Sequence, residues 1–124
     1  MIIDRNLHQY IIHEDTSIAD AMEKISVTKG RVLFGVNSDG HLSGVLTNGD
    51  LIRWLVQCRN GFANLRISVN ELFNTQYRYS STDDAPEKTL ALLDDYLYIP
   101  LIDTQGRLVA VARRRDVKDN NFCI

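Results

Sequence analysis

Two stretches of the chain are copies of one another. SDGHLSGVLTNGDLI (Ser38–Ile52) and TQGRLVAVARRRDVK (Thr104–Lys118) align Gly40 with Gly106, Leu42 with Leu108, Val45 with Val111 and Asp50 with Asp116, at a constant offset of 66 residues. An apolar run precedes each copy, RVLFGVNSDG in the first and YLYIPLIDTQG in the second. Each therefore reads as a strand, a short glycine turn and a second strand, with a helix starting near the Asp. This repeat constrains the fold more than any single motif. One supersecondary unit of roughly 60 residues buries little core alone and must stack on its twin.

A helix is expected before each hairpin. EDTSIADAMEKISVTKG carries Ile18, Met22 and Ile25 at helical spacing, with Asp15, Thr16 or Ser17 to cap it and Gly30 to end it. STDDAPEKTLALLDDY places Pro86 in a first turn, with Leu90, Leu93 and Leu97 as its stripe and Ala85 and Thr89 on nearby faces. The two helices align with a one-residue shift against the repeat. Tyr10–Ile12 and Gln76–Tyr79 are the expected first strands, so each half reads β-α-β-β-α, residues 1–66 and then 67–124. LRISVNELF joins the halves, its second part a short helix with Asn70 as cap; the helix after Asp116 is weak.

Composition excludes several classes. A net charge of -2 with 24% charged residues gives no general attraction to nucleic acid or an anionic membrane. No apolar run approaches the ~20 residues of a membrane span, and MIIDRNLHQYII lacks the basic start and long apolar core of a signal peptide. Cys58 and Cys123 form no metal-spacing motif, and reduced thiols in the cytoplasm are expected. His8, His13 and His41 lack helical metal-ligand spacing and read as surface residues. The pairs Asp83-Asp84 and Asp94-Asp95 have no Ser or His system beside them, so no catalytic set is expected.

The unit itself resembles a cystathionine β-synthase (CBS) domain, and its two copies a tandem CBS pair, or Bateman module, over roughly Leu7–Lys118. The resemblance rests on Gly44-Val45-Leu46-Thr47-Asn48-Gly49-Asp50 and its degraded echo Ala110-Val111-Ala112-Arg113-Arg114-Arg115-Asp116, where Gly has become Ala and Thr has become Arg. It implies an α+β fold of two pseudo-symmetric β-α-β-β-α CBS repeats packed sheet to sheet. It implies further a non-catalytic regulatory module, with clefts between the repeats for AMP, ADP, ATP or S-adenosylmethionine, no obligatory cofactor, and homodimers of modules. Some members of the family bind nothing and only assemble, so a ligand-free pair that dimerises its host enzyme is the alternative. The opening MIIDRNLHQYII, with GVLTNGDLIRWL and PLIDTQGRLVAVARRR, is also similar to the regulatory segment of sialic-acid-synthase-type enzymes and to CBS pairs ahead of sugar-nucleotide transferases. That implies a fused or adjacent catalytic domain in nonulosonic acid or sugar-nucleotide biosynthesis, the chain being cut at the junction after Ile124.

Nucleotide chemistry gives these residues roles. A ribose diol needs a carboxylate acceptor, a phosphate needs hydroxyls, backbone N–H groups or cations at a helix start, and adenine needs apolar walls. The resemblance assigns Asp50 to the ribose and Thr47 to the phosphate, with Asn48 beside them and Gly49 allowing close approach or a positive φ. Thr47-x-x-Asp50 is equally a capping box, and both readings stand together. In the echo, Arg113 replaces a cap residue and can meet phosphate directly, with Arg115 and Asp116 nearby; the alternative is an exposed strand end. Tyr98, Ile99 and Pro100 form the expected adenine wall or, alternatively, ordinary core. Trp54 reads as a packing or dimer residue, and Phe62 as part of a partner surface.

Overall fold

The computed structural model describes residues 1–27, 32–58 and 64–116. It contains strands β1 (Ile2–Asp4), β2 (Ile11–His13), β3 (Leu33–Val36), β4 (Leu42–Leu46), β5 (Ser80–Ser81), β6 (Tyr98–Ile102) and β7 (Leu108–Arg113), and helices α1 (Ile18–Val27), α2 (Asn48–Gln57) and α3 (Pro86–Leu92). A 3-10 turn, Val69–Leu72, lies in the linker. The expected helix end at Gly30, the expected partner-surface residue Phe62, Cys123 and the last helix lie outside the described residues.

The repeat becomes two sheets of one design. In the first, β2 runs parallel to β3 and β3 antiparallel to β4. In the second, β5 runs parallel to β6 and β6 antiparallel to β7. Gly40 and Gly106 hold φ of +84° and +82° at the hairpin tips, a conformation that other L-residues rarely adopt. The two tips meet, with the Leu42 N–H donating to the Gly106 carbonyl at 3.3 Å and the Leu108 N–H to the Gly40 carbonyl at 3.0 Å. That reciprocity is the mark of a pseudo-twofold axis between the halves. Around it Tyr10, Phe34, Leu108 and Val111 form a buried cluster drawn from both halves.

The halves also exchange edges. β1 adds to β7, with Asp4 opposite Val111, and the linker's Asn74 stands opposite the equivalent Val45 of β4. Residues 2–4 therefore complete the sheet of the second half, across the expected division at residue 66.

The two halves are offset by 66 residues in their hairpins and by 68 before them. The Glu14 N–H donates to the Val36 carbonyl at 2.9 Å, and its counterpart, the Thr82 N–H, to Ile102 at 2.9 Å. The shift is thus two residues, not one. The second half's short strand lies at Ser80–Ser81 instead of Gln76–Tyr79. In α1, Ile18, Ala21 and Ile25 face the core, with Met22 packed at its margin. The Ser17 hydroxyl accepts the Asp20 N–H at 3.2 Å, capping that helix. In α3 the same positions bury Thr89 and Leu93, while Leu90 and Leu97 of the expected stripe are each 46% exposed. Ser80 replaces the equivalent Ile12, and Thr89 Oγ1 donates to Ser80 Oγ at 2.9 Å in full burial. Each hydroxyl supplies the partner that the other needs away from water. The linker turn is capped by Ser68, whose hydroxyl accepts the Asn70 N–H, and not by Asn70 itself.

Phe73 explains the leading glycine of the motif. Gly35 and Gly44 sit opposite one another on β3 and β4, and the Phe73 side chain lies across both. A Cβ on Gly44 would fall 2.5 Å from Phe73 Cβ, and one on Gly35 would overlap the ring tip. In the second half Leu101 faces Ala110, and Ile3, one residue before Asp4 as Phe73 is one before Asn74, packs with Leu101 on the cluster of Leu93, Ile99 and Ala112. Glycine became alanine in the echo where an aliphatic side chain replaces the aromatic one.

Candidate ligand-binding cleft

A cleft of about 590 Å³ opens between the two halves. Its floor comes from both sheets: Val32, Phe34 and Val45 from the first, and Tyr98, Ile99 and Pro100 from the second. Asn74, Gln76, Tyr77 and Arg78, which follow the linker turn, and Asp95, Tyr96 and Leu97, just before β6, complete the lining. The walls are largely apolar and aromatic. The polar groups on them are few and spaced: Thr47, Asn74, Gln76, Arg78 and Asp95, with the tyrosine hydroxyls. This is the usual make-up of a small-molecule site. Pro100 and the tyrosines supply apolar and aromatic surface, the exposed Arg78 a cation and Asp95 a carboxylate.

Burial and the neighbouring Tyr79 push the Tyr77 phenol above its ordinary range, so it stays protonated at neutral pH. Its hydroxyl donates to the Leu42 carbonyl at 3.3 Å and ties the linker to β4. The rings of Tyr77 and Tyr79 meet edge to face at 6.1 Å, stiffening that side of the cleft.

Of the residues expected at the site, Thr47, Tyr98, Ile99 and Pro100 line this cleft. The adenine-wall and core readings of Ile99 and Pro100 coexist, because both are almost fully buried and still border the cavity. Thr47 caps α2: its hydroxyl accepts the Asp50 N–H at 3.2 Å, and its own N–H donates to Asp50 Oδ2 at 2.8 Å. The Thr47 hydroxyl also donates to Asp50 Oδ2 at 2.9 Å, and Arg53 holds Asp50 Oδ1 at 2.5 Å. The carboxylate of Asp50 is thus satisfied within α2 and does not line the cavity. Asn48 faces a separate apolar groove between α1 and α2, lined by Met22, Ile25, Leu51, Ile52 and Leu55. Gly49 lies inside α2 without positive φ, so that expected reason for glycine does not apply.

The echo residues lie elsewhere. Arg113 Nε donates to Asp4 Oδ2 at 2.8 Å, and Tyr10 Oη donates to the same oxygen at 2.5 Å. Arg115 and Asp116 are exposed, with Arg114 Nε 3.4 Å from Asp116 Oδ1. The sequence reading missed Asn74, Gln76, Tyr77, Arg78 and Asp95. The expected strand Gln76–Tyr79 covers Gln76, Tyr77 and Arg78, and the Asp94-Asp95 pair reads only as carboxylates with no catalytic partner. Their one legible signal was the aromatic and polar alternation of NTQYRY between the repeats.

Among the described residues no group of three or more His, Cys, Asp or Glu is placed to hold a metal ion, and no helix is long and apolar enough to cross a membrane.

Comparison with known proteins agrees with this architecture. The magnesium transporter MgtE of Thermus thermophilus is 34% identical over 89 residues, which are 70% of this chain and 18% of the transporter. The chain thus spans under a fifth of that relative. A crystal structure of the cytosolic domain of the Mg2+ channel MgtE in complex with ATP superposes with a TM-score of 0.66 at 25% identity, over 85% of this chain and 42% of that one. A CBS domain protein from Streptococcus pneumoniae TIGR4 gives 0.80 at 13% identity, over 91% of this chain and 74% of that one. CBSX2 in complex with AMP gives 0.73 at 19%, over 90% and 86%. Residues 3–57 match the family model of the CBS domain, and the chain as a whole has the fold of a CBS domain pair.

Proposed function

We propose that the chain is a non-catalytic regulatory module that takes an adenine nucleotide in the open cleft and passes its occupancy to an attached or partner protein. The observation that carries this reading is the cleft itself: about 590 Å³ between the repeats, lined by the Tyr98–Pro100 strand and by Arg78 and Asn74. The adenine would lie against the wall, and the phosphate would meet Arg78 and the Thr47 end of α2. Two carboxylates compete for the ribose: Asp50 by resemblance and Asp95 by position. To reach a ribose, Asp50 must give up part of its bonding to Thr47 or Arg53. MgtE with ATP and CBSX2 with AMP support the ligand class.

The partner surface is the groove between α1 and α2. Of its lining, Ile52 and Leu55 are 53% and 38% exposed, and a second copy of the module is the expected occupant. The nature of the host is assigned differently by different likenesses. The sequence resemblance points to sialic-acid-synthase-type or sugar-nucleotide enzymes, whereas the relative found is a magnesium transporter. Either host would carry the module in the cytoplasm beside a larger functional domain.

Calorimetric titration with AMP, ADP, ATP and S-adenosylmethionine tests the reading. Binding of at least one, weakened by Arg78→Ala in an unchanged fold, is expected. Comparing Asp95→Ala with Asp50→Ala assigns the ribose contact. An absence of binding by all four at millimolar concentration would leave the ligand-free assembly module as the better account.

A further inference from the structure

The pseudo-twofold axis creates a second cleft position, and the chain treats it differently. The open cleft has Thr47 at the end of its strand and Asn74 paired opposite Val45. At the equivalent places around the second position stand Arg113, 66 residues after Thr47, and Asp4, paired opposite Val111. A neutral pair has become a cation and an anion in contact at 2.8 Å, with side-chain exposures of only 13% for Arg113 and 20% for Asp4. Tyr10 completes the arrangement. It is 3% exposed, its hydroxyl donates to Asp4, and its ring packs against Tyr98 at 5.7 Å and Phe34 at 6.5 Å. Phe34 is the repeat counterpart of Pro100, the wall of the open cleft.

We propose that the chain supplies its own occupant for the second cleft: the Tyr10 ring takes the place of a base and the Asp4 carboxylate that of a phosphate on Arg113, so that each chain accepts one nucleotide. This rests on the reading of the open cleft given above, but the anion part stands without it. Asp4 and Tyr10 are therefore specificity-determining residues: they decide which cleft accepts a ligand. The substitution of Thr by Arg in the degraded motif creates no free phosphate site, because the guanidinium is neutralised from within. The carboxylate comes from β1, whose backbone is itself held against β7, so an external anion must compete with an intramolecular partner of high effective concentration.

The test uses the whole chain with inorganic phosphate and AMP, followed by NMR of backbone amides and of the arginine Nε–H groups. In the unmodified protein phosphate should leave the Arg113 Nε–H resonance unmoved, and AMP should bind once per chain with shifts confined to the open cleft. Asp4→Asn is nearly isosteric and leaves the β1–β7 backbone pairing available. It should produce a saturable phosphate-dependent shift at Arg113, abolished by added salt. Tyr10→Phe keeps Asp4 on Arg113 and should show no such shift. A phosphate response of Arg113 in the unmodified protein, two AMP sites per chain, or a folded Asp4→Asn variant indifferent to phosphate would each overturn the proposal. Failure of AMP alone to bind would count against the open-cleft reading and leave the phosphate arm to decide this one.

Discussion

Adding one methyl group at Gly35 probes the packing that sets the two repeats apart. The Cβ of an alanine there would overlap Cε2 and Cζ of Phe73 and lie 3.0 Å from Cδ2, well inside the ~3.5–4.0 Å optimum for carbon contacts. The ring must move, and overpacking of this kind costs about 1–3 kcal/mol. Against this, replacing glycine where φ is ordinary returns about 0.4–1 kcal/mol through the unfolded chain. A net loss of about 1 kcal/mol follows for Gly35→Ala, or roughly 4 °C in melting temperature for a domain of this size. Phe73→Leu removes the overlapping ring-tip atoms, so in that background Gly35→Ala should be neutral or slightly stabilising. Urea denaturation of the two single variants and the double variant measures a coupling of about 2 kcal/mol, within the range for residues in contact. Gly44→Ala is the control: its clash is with Phe73 Cβ, which leucine retains, so Phe73→Leu should not rescue it. A Gly35→Ala cost below about 0.5 kcal/mol, or an equal cost in both backgrounds, would refute the packing argument.

Thr47→Ala removes a side-chain cap and should cost about 1 kcal/mol in urea denaturation. Adding Asp50→Ala should cost less than the two single losses together, because both act through one capping box. Ser80→Ala strands the buried Thr89 hydroxyl and should cost about 1–3 kcal/mol, whereas Ser80→Ala with Thr89→Val should recover much of that loss. The Tyr10 phenol is pushed far above its ordinary value of 10.0, first by burial and then by its bond to Asp4. The folded chain therefore holds this proton to higher pH than the unfolded chain. The associated stability is present below the unfolded pKa and is lost as pH rises from about 10 upward. Denaturation midpoints measured across that window should fall with pH, and Tyr10→Phe should flatten the decline.

Much of the fold was legible because the repeat carries it. Gly40 and Gly106 mark both hairpins, and the shared Val and Asp positions fix their phase. What was not legible lies where the halves depart from strict repetition. Leu93 stands six positions before Ile99 whereas its counterpart Ile25 stands eight before Leu33, so the inward positions of α3 fall on Thr89 and Leu93 in place of a leucine stripe. Periodicity favours leucine at such positions, and only the tertiary partnership of Thr89 with Ser80 makes a hydroxyl acceptable there. The site divides in the same way. Tyr98–Pro100 and Thr47 could be named from their own motif, whereas Asn74, Arg78 and Asp95 come from connecting segments whose placement depends on how the sheets exchange edges. The capping and ribose roles of Asp50 use the same atoms in the same local pattern, so local sequence could not separate them. The pairing of Arg113 with Asp4 spans 109 positions and leaves no local signal at all.

The most direct measurement is an AMP titration by calorimetry, with amide chemical shifts recorded at each step. The account predicts one site per chain, with shifts centred on Thr47, Asn74, Arg78 and Tyr98 and a smaller heat for Arg78→Ala. Two sites per chain, shifts centred on Arg115 and Asp116, or no binding at millimolar AMP would contradict it.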